Sequence, residues 1–118
     1  MGSKKRKKVS ACFFRFVSGN EPVREWLLSL SKEDRSAIGY DIKTVEYGWP
    51  IGMPVCRSMS DGLWEIRTNL LKGRIARVLF CFHSNNLVLL HGFIKKTVKT
   101  PKLDLDIGKK RKREVENG

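Results

Sequence analysis

The chain has 118 residues, enough for one domain with one modest core and too few for two. Its 24 lysines and arginines against 12 acids give a formal net charge of +12, so a polyphosphate is the first partner to consider. No apolar run reaches the roughly 18 residues of a membrane span. Three cysteines (Cys12, Cys56, Cys81) without CxxC spacing argue against a disulfide framework and for a reducing compartment. With no signal peptide visible, the expected location is the cytoplasm.

Residues 1–10 carry five cations and no acid (Lys4, Lys5, Arg6, Lys7, Lys8). They read as a solvated, mobile tail, with Met1-Gly2-Ser3 compatible with an appended tag and the basic run resembling a nuclear-import patch. Residues 11–17, Ala-Cys-Phe-Phe-Arg-Phe-Val, are aromatic and β-branched and predict a first strand. Ser18-Gly19-Asn20 breaks it, with Asn20 a candidate N-cap ahead of Glu21 and Pro22. Val23, Trp26, Leu27 and Leu30 then recur at helical spacing. Ser31, with Asp34 three residues on, starts a second helix whose buried stripe is Ile38, Ile42 and Val45, and which Gly48 ends.

Residues 48–54 form a turn-rich connector, after which the period changes to two. Strands are expected at 63–69, 74–82 and 87–94, joined by a Lys72-Gly73 turn and a Ser84-Asn85-Asn86 loop, as in an antiparallel meander. Residues 102–114 are a weak helix candidate that Gly108 interrupts, and the unbroken cation run 109–113 favours fraying. The order is β-α-α-β-β-β in an α+β fold, a domain over 11–100 followed by a C-terminal helix or basic tail over 101–118. The αα-hairpin covers one sheet face, and the other is expected to stay partly open to solvent.

Charge is divided unevenly. Residues 11–56 carry five cations against six acids, and residues 57–98 carry seven against two, net +5. Parity assigns the strand faces. Trp64 and Ile66 read as the core side, which turns Glu65 and Arg67 outward. Ile75, Arg77, Leu79 and Cys81 share one side of the next strand, and His91, Phe93 and Lys95 share one side of the last, with Lys96 at its mouth. An arginine within so apolar a strand needs a partner or an anionic ligand.

Arg67, Arg74 or Arg77, Lys95 and Lys96 therefore converge at one end of the sheet near Phe93, with Lys72 and Arg57 as further basic contacts. Arginine forks bind phosphate bidentately and an aromatic face stacks an unpaired base, a combination suited to single-stranded RNA. RNA cleavage by 2′-OH attack needs no metal or other cofactor. Cations stabilise the extra charge, while Glu65, a lysine of lowered pKa or His91 moves protons. Each residue also has an ordinary reading. Arg77 is as readily an arginine paired to a helix acid, and Glu65 a neutraliser of Arg67. His83 and His91 read as loop and core histidines, Phe93 as core, and Lys95 and Lys96 as a solvated strand end. Cys81 and His83 lack further metal-ligand spacing, so zinc is rejected.

Ser18-Gly-Asn-Glu-Pro-Val-Arg-Glu-Trp-Leu27, Trp49-Pro-Ile-Gly-Met-Pro54, Gly62-Leu-Trp-Glu-Ile-Arg67, Arg74-Ile-Ala-Arg-Val-Leu-Phe80 and Leu90-His-Gly-Phe-Ile-Lys-Lys-Thr97 together resemble the phage-derived, HigB-like branch of the RelE/ParE toxin superfamily. The resemblance spans roughly residues 11–114. It implies a RelE-type fold and a type II toxin that cleaves mRNA on the ribosome. It also implies neutralisation by a cognate antitoxin, in this branch often a helix-turn-helix protein. The family's strand cations match Arg67 and Arg77, and its basic cluster after the last strand matches Lys95 and Lys96. The chain departs from RelE proper in having Glu65 where a lysine stands and in lacking a tyrosine after Lys96. The alternatives from other classes are a ParE-like gyrase inhibitor without chemistry of its own and an RNA-binding module that does not cut.

Overall fold

A computed structural model describes residues 6–50 and 55–118. The readings made for Met1 to Lys5, and for Ile51 to Pro54 of the connector, lie outside these residues. The described chain runs β1 (Ser10–Phe13), α1 (Pro22–Leu28), α2 (Lys32–Gly48), β2 (Cys56–Ser60), β3 (Leu63–Asn69), β4 (Ile75–His83), β5 (Asn86–Lys95) and α3 (Lys102–Asn117), with a single 3-10 turn at Leu71–Gly73. The α+β class and the three expected meander strands are as read from the sequence.

Several details differ. The sheet has five strands in the order β1-β5-β4-β3-β2. β2 was not anticipated because Cys-Arg-Ser-Met-Ser lacks the β-branched and aromatic residues that mark a strand. It forms by pairing antiparallel with β3, Cys56 opposite Ile66 and Arg57 opposite Glu65. β1 stops at Phe13 rather than residue 17 and pairs parallel with β5. Lys7 and Val9 are not part of a solvated tail. Val9 is buried, and Glu46 accepts from the Lys7 ammonium and from the Ala11 amide, which holds the start of β1 against the end of α2. Glu21, not Asn20, is the N-cap residue of α1, with Pro22 in its first turn. Ser31 caps α2 as expected, its hydroxyl accepting from the Asp34 amide.

The αα-hairpin covers one face as predicted. Val23, Ile38, Ile42 and Val45 pack there on Cys56, Ile66, Ala76, Val78, Phe80, Leu87 and Leu89, flanked by Trp26, Trp49 and Trp64. The other face is not open. Helix α3 lies across it, and a second core forms from Phe14, Leu63, Leu79, Cys81, Val88, Leu90 and Phe93, with Leu105 and Val115 of α3 packed against it. Gly108 does not interrupt α3. It is the point of closest approach, where a Cβ would stand 2.8 Å from a Leu79 methyl, so its missing side chain lets the helix settle on the sheet.

A β-bulge decides which residues of β5 enter which core. Leu79 pairs with His91 but Phe80 pairs with Leu89, leaving Leu90 unpaired in the register. The extra residue resets the alternation of β5, so that Leu87 and Leu89 face the hairpin while Val88, Leu90, His91 and Phe93 face α3. Gly92 faces the hairpin, where a Cβ would fall 2.3 Å from the rigid Trp26 indole. Gly92→Ala should therefore destabilise the protein by about 1–3 kcal/mol, the usual cost of overpacking, read as a lower denaturation midpoint with unchanged m-value.

Candidate functional site

On the α3 face, strand pairing builds two adjacent rows. Arg57, Glu65, Leu79 and His91 form one, and Arg67, Arg77 and Phe93 the other. Lys95 lies one step further, opposite Ile75. Two arginines directly opposite each other on neighbouring strands repel, and burial strengthens the repulsion. Glu65 compensates. Its Oε1 accepts from Arg67 Nε at 2.8 Å, and its Oε2 lies 3.9 Å from Arg77 Nε. Thr100 donates its hydroxyl to the same Oε2. Glu65 and Arg77 are both 0% exposed, so this is a buried charge cluster rather than a solvated patch.

The segment between β5 and α3, residues 96–100, roofs the cluster. Arg77 Nη2 donates to the carbonyls of Thr97 and Val98, the latter at 2.9 Å, and Arg67 Nη2 donates to Val98 O at 2.6 Å. Arg77 Nε and Nη1 are buried and find no hydrogen-bond partner among the described residues. Burial, and then repulsion from Arg67, draw the Arg77 pKa down from the usual guanidinium value, with Glu65 opposing. His91 stands beside the cluster, its ring stacked on Phe93 at 5.5 Å between centroids and its Nε2 2.7 Å from Asp104 Oδ1 in the first turn of α3. The Arg77 guanidinium lies 5.8 Å from the centroid of the same Phe93 ring.

The structure brings Arg67, Arg77, Glu65, His91 and Phe93 together, whereas Lys95 and Lys96, expected within the same cluster, stand exposed at its margin with Arg57. The expectation of a solvent-open spot does not hold, because α3 and residues 96–100 cover that face. Glu65 does not point into solvent as a free proton acceptor, since Arg67 and Thr100 occupy its oxygens. Phe93 is buried and offers no bare face to a base. Arg74 belongs to the opposite face, where its guanidinium holds Asp34 of α2 through bonds of 2.7 and 3.0 Å. Lys72 sits on the exposed 3-10 turn with φ 63°, apart from the cluster.

Sequence reasoning missed Thr100 and Asp104. A Thr-Pro followed by an acid three residues later does mark a helix start, but nothing in that pattern names Glu65 and His91 as the partners. Burial pushes the Cys56 and Cys81 thiols up to about 11, so neither is poised as a nucleophile. Among the described residues, no group of three or more His, Cys, Asp or Glu side chains is placed to hold a metal ion, and no helix is long and apolar enough to cross a membrane. A separate groove of about 880 Å³, lined by Phe13 to Ser18 and the end of α3, contains none of the site residues.

A covered α+β sandwich with a buried arginine–glutamate cluster and a His–Asp pair on one sheet face is the class of molecule that these features define. The family model "Phage derived protein Gp49-like (DUF891)" matches residues 25–113, and the chain belongs to that family, which is RelE-like and toxin-like. A search of curated proteins found no match.

Two outcomes test this geometry. Glu65→Ala strips from two adjacent arginines the buried carboxylate that pairs with both, and should cost about 3–5 kcal/mol of stability, the range for breaking a buried ion pair, in chemical denaturation. The Arg74 hydrogen bond holds the Asp34 carboxyl below its usual pKa. The stability it contributes is therefore present above the unfolded-state value of about 4 and is lost as pH falls through the folded-state value. Asp34→Asn should lower the melting temperature at neutral pH and make the decline below about pH 4 shallower than in the wild type.

Proposed function

We propose that this protein is the toxin of a type II toxin–antitoxin pair, of the HigB-like kind, and that it is a metal-independent endoribonuclease acting on mRNA at the ribosome. The observation that carries this reading is the meeting of Arg67, Arg77 and the His91–Asp104 pair, from three neighbouring strands and one helix, beneath a rim of exposed Arg57, Lys95 and Lys96. Membership of a toxin-like phage-derived family supports it independently.

In this reading Asp104 accepts from His91 Nε2–H and so leaves Nδ1 with its lone pair free to take a proton. The imidazole removes the proton of a 2′-OH, the 2′ oxygen attacks the adjacent phosphorus, and the P–O5′ bond breaks. The departing 5′ oxygen takes a proton from a lysine ammonium, Lys95 or Lys96, leaving a 2′,3′-cyclic phosphate and a 5′-hydroxyl. Arg67 and Arg77 neutralise the charge that builds on the phosphate oxygens. Glu65 keeps the two guanidinium groups together. The ribosome supplies the mRNA in a fixed conformation, and a cognate antitoxin, of helix-turn-helix type, blocks the encounter.

Expression in bacterial cells should stop growth and produce codon-linked cuts in mRNA that end in cyclic phosphate. His91→Ala should slow cutting by about 10²- to 10⁴-fold, and Arg67→Ala by about 10²-fold. Lys95→Ala with Lys96→Ala should weaken RNA binding and flatten its dependence on salt. The enclosure of Arg67 and Arg77 by the protein's own carbonyls favours a second reading, a ParE-like toxin that inhibits gyrase by binding alone. DNA-damage signalling without RNA cuts would establish that reading and end the first.

A further inference from the structure

The roof over the arginine cluster is built unlike the rest of the core. The side chains of residues 96–99 are exposed, and Val98 is 72% exposed, so this stretch buries almost no apolar surface. What holds it down is polar. The carbonyls of Thr97 and Val98 accept from Arg77 and Arg67, and the Thr100 hydroxyl donates to Glu65. A segment fixed by a few hydrogen bonds and no packing opens at low cost. Beneath it, Arg77 keeps two buried nitrogens that make no hydrogen bond among the described residues, although a guanidinium carries five donors and each unmet one is costly. The carbonyls satisfy only part of what the two forks offer.

We infer that residues 96–99 form a displaceable strap, whose Thr97 and Val98 carbonyls occupy the place of phosphate oxygens on the Arg67–Arg77 pair and must lift for an RNA phosphodiester to bind there. A phosphate carries full negative charge and several acceptors, where a carbonyl carries only a partial charge. It therefore makes stronger bonds to the same nitrogens and reaches donors that the strap leaves unmet. Because the strap leads directly into α3, the same motion loosens Thr100 from Glu65 and carries Lys96 to the edge of the opened site. The free protein rests closed, and its apparent affinity for RNA is reduced by the small fraction of time that the strap is up. This inference rests on the RNA-cleaving reading of the cluster.

The test compares binding of a short 2′-O-methyl RNA oligonucleotide, which cannot be cut, to full-length variants by fluorescence anisotropy at physiological salt. Val98→Gly removes only an exposed side chain and gives the lifted strap more conformational freedom, so it should bind about two- to fivefold tighter. Thr100→Val, which cuts the latch to Glu65, should shift affinity in the same direction, while the double variant Arg67→Ala, Arg77→Ala should bind more weakly than the wild type. If Val98→Gly and Thr100→Val bind no tighter while the arginine variant binds more weakly, the strap proposal fails and the site stands. If the arginine variant binds like the wild type, the oligonucleotide does not use this cluster, and the site and its strap both fall.

Discussion

Two guanidinium groups side by side on neighbouring strands, Arg77 fully buried and Arg67 partly so, need an anion between them, and Glu65 is that anion. It is fully buried, bonded to Arg67 and Thr100 and within ion-pair distance of Arg77. Burying three charges is expensive, and a hydrophobic trio of similar volume would serve a sheet at least as well for stability. Keeping the arrangement therefore makes more sense as the cost of holding two arginine forks in a fixed relation than as a device for stability. An acid at position 65 ties the two arginine positions into one preassembled cluster beneath residues 96–100.

Beside that cluster, helix α3 closes the rest of the sheet's second face. Helix α3 is short of apolar residues and rich in cations, and alone it would fray. It stays because Asp104 bonds to His91, Gly108 admits the Leu79 methyl, Leu105 and Val115 cover the second core, and Arg111 donates to Leu90 O while lying over the Phe14 and Phe16 rings. These contacts close one half of the face with hydrocarbon and the other half with charge. The hydrocarbon half is rigid scaffold. The charged half, under residues 96–100, has little packing to hold it, and the proposed chemistry falls in that half.

Much of this was legible in advance for a simple reason. Periodicity reports which residues of one element share a face, and the faces named for β3, β4 and the end of β5 are those observed. The N-cap at Ser31, the two helical stripes and the two turns around Lys72-Gly73 and Ser84-Asn85 are likewise local chemistry. The errors arose where a partner decides. β2 has no strand composition and exists because β3 offers it an edge. Strict alternation along β5 fails at Leu90, because a bulge is a mismatch between two strands and has no signature in one. α3 was underrated because propensity was weighed without the sheet on which it lies.

The amino-acid order by itself determined the α+β class, the basic second half and the set of charged residues that share one sheet face, since these follow from spacing along single segments. Which of those charges are covered, which carboxylate joins which guanidinium, and that Arg74 belongs to a different face with Asp34 were decided only by the tertiary structure. The physical reason is that burial and most of the pairing belong to contacts between different elements, up to 40 positions apart, and such contacts exist only once the sheet is assembled and both of its faces are covered.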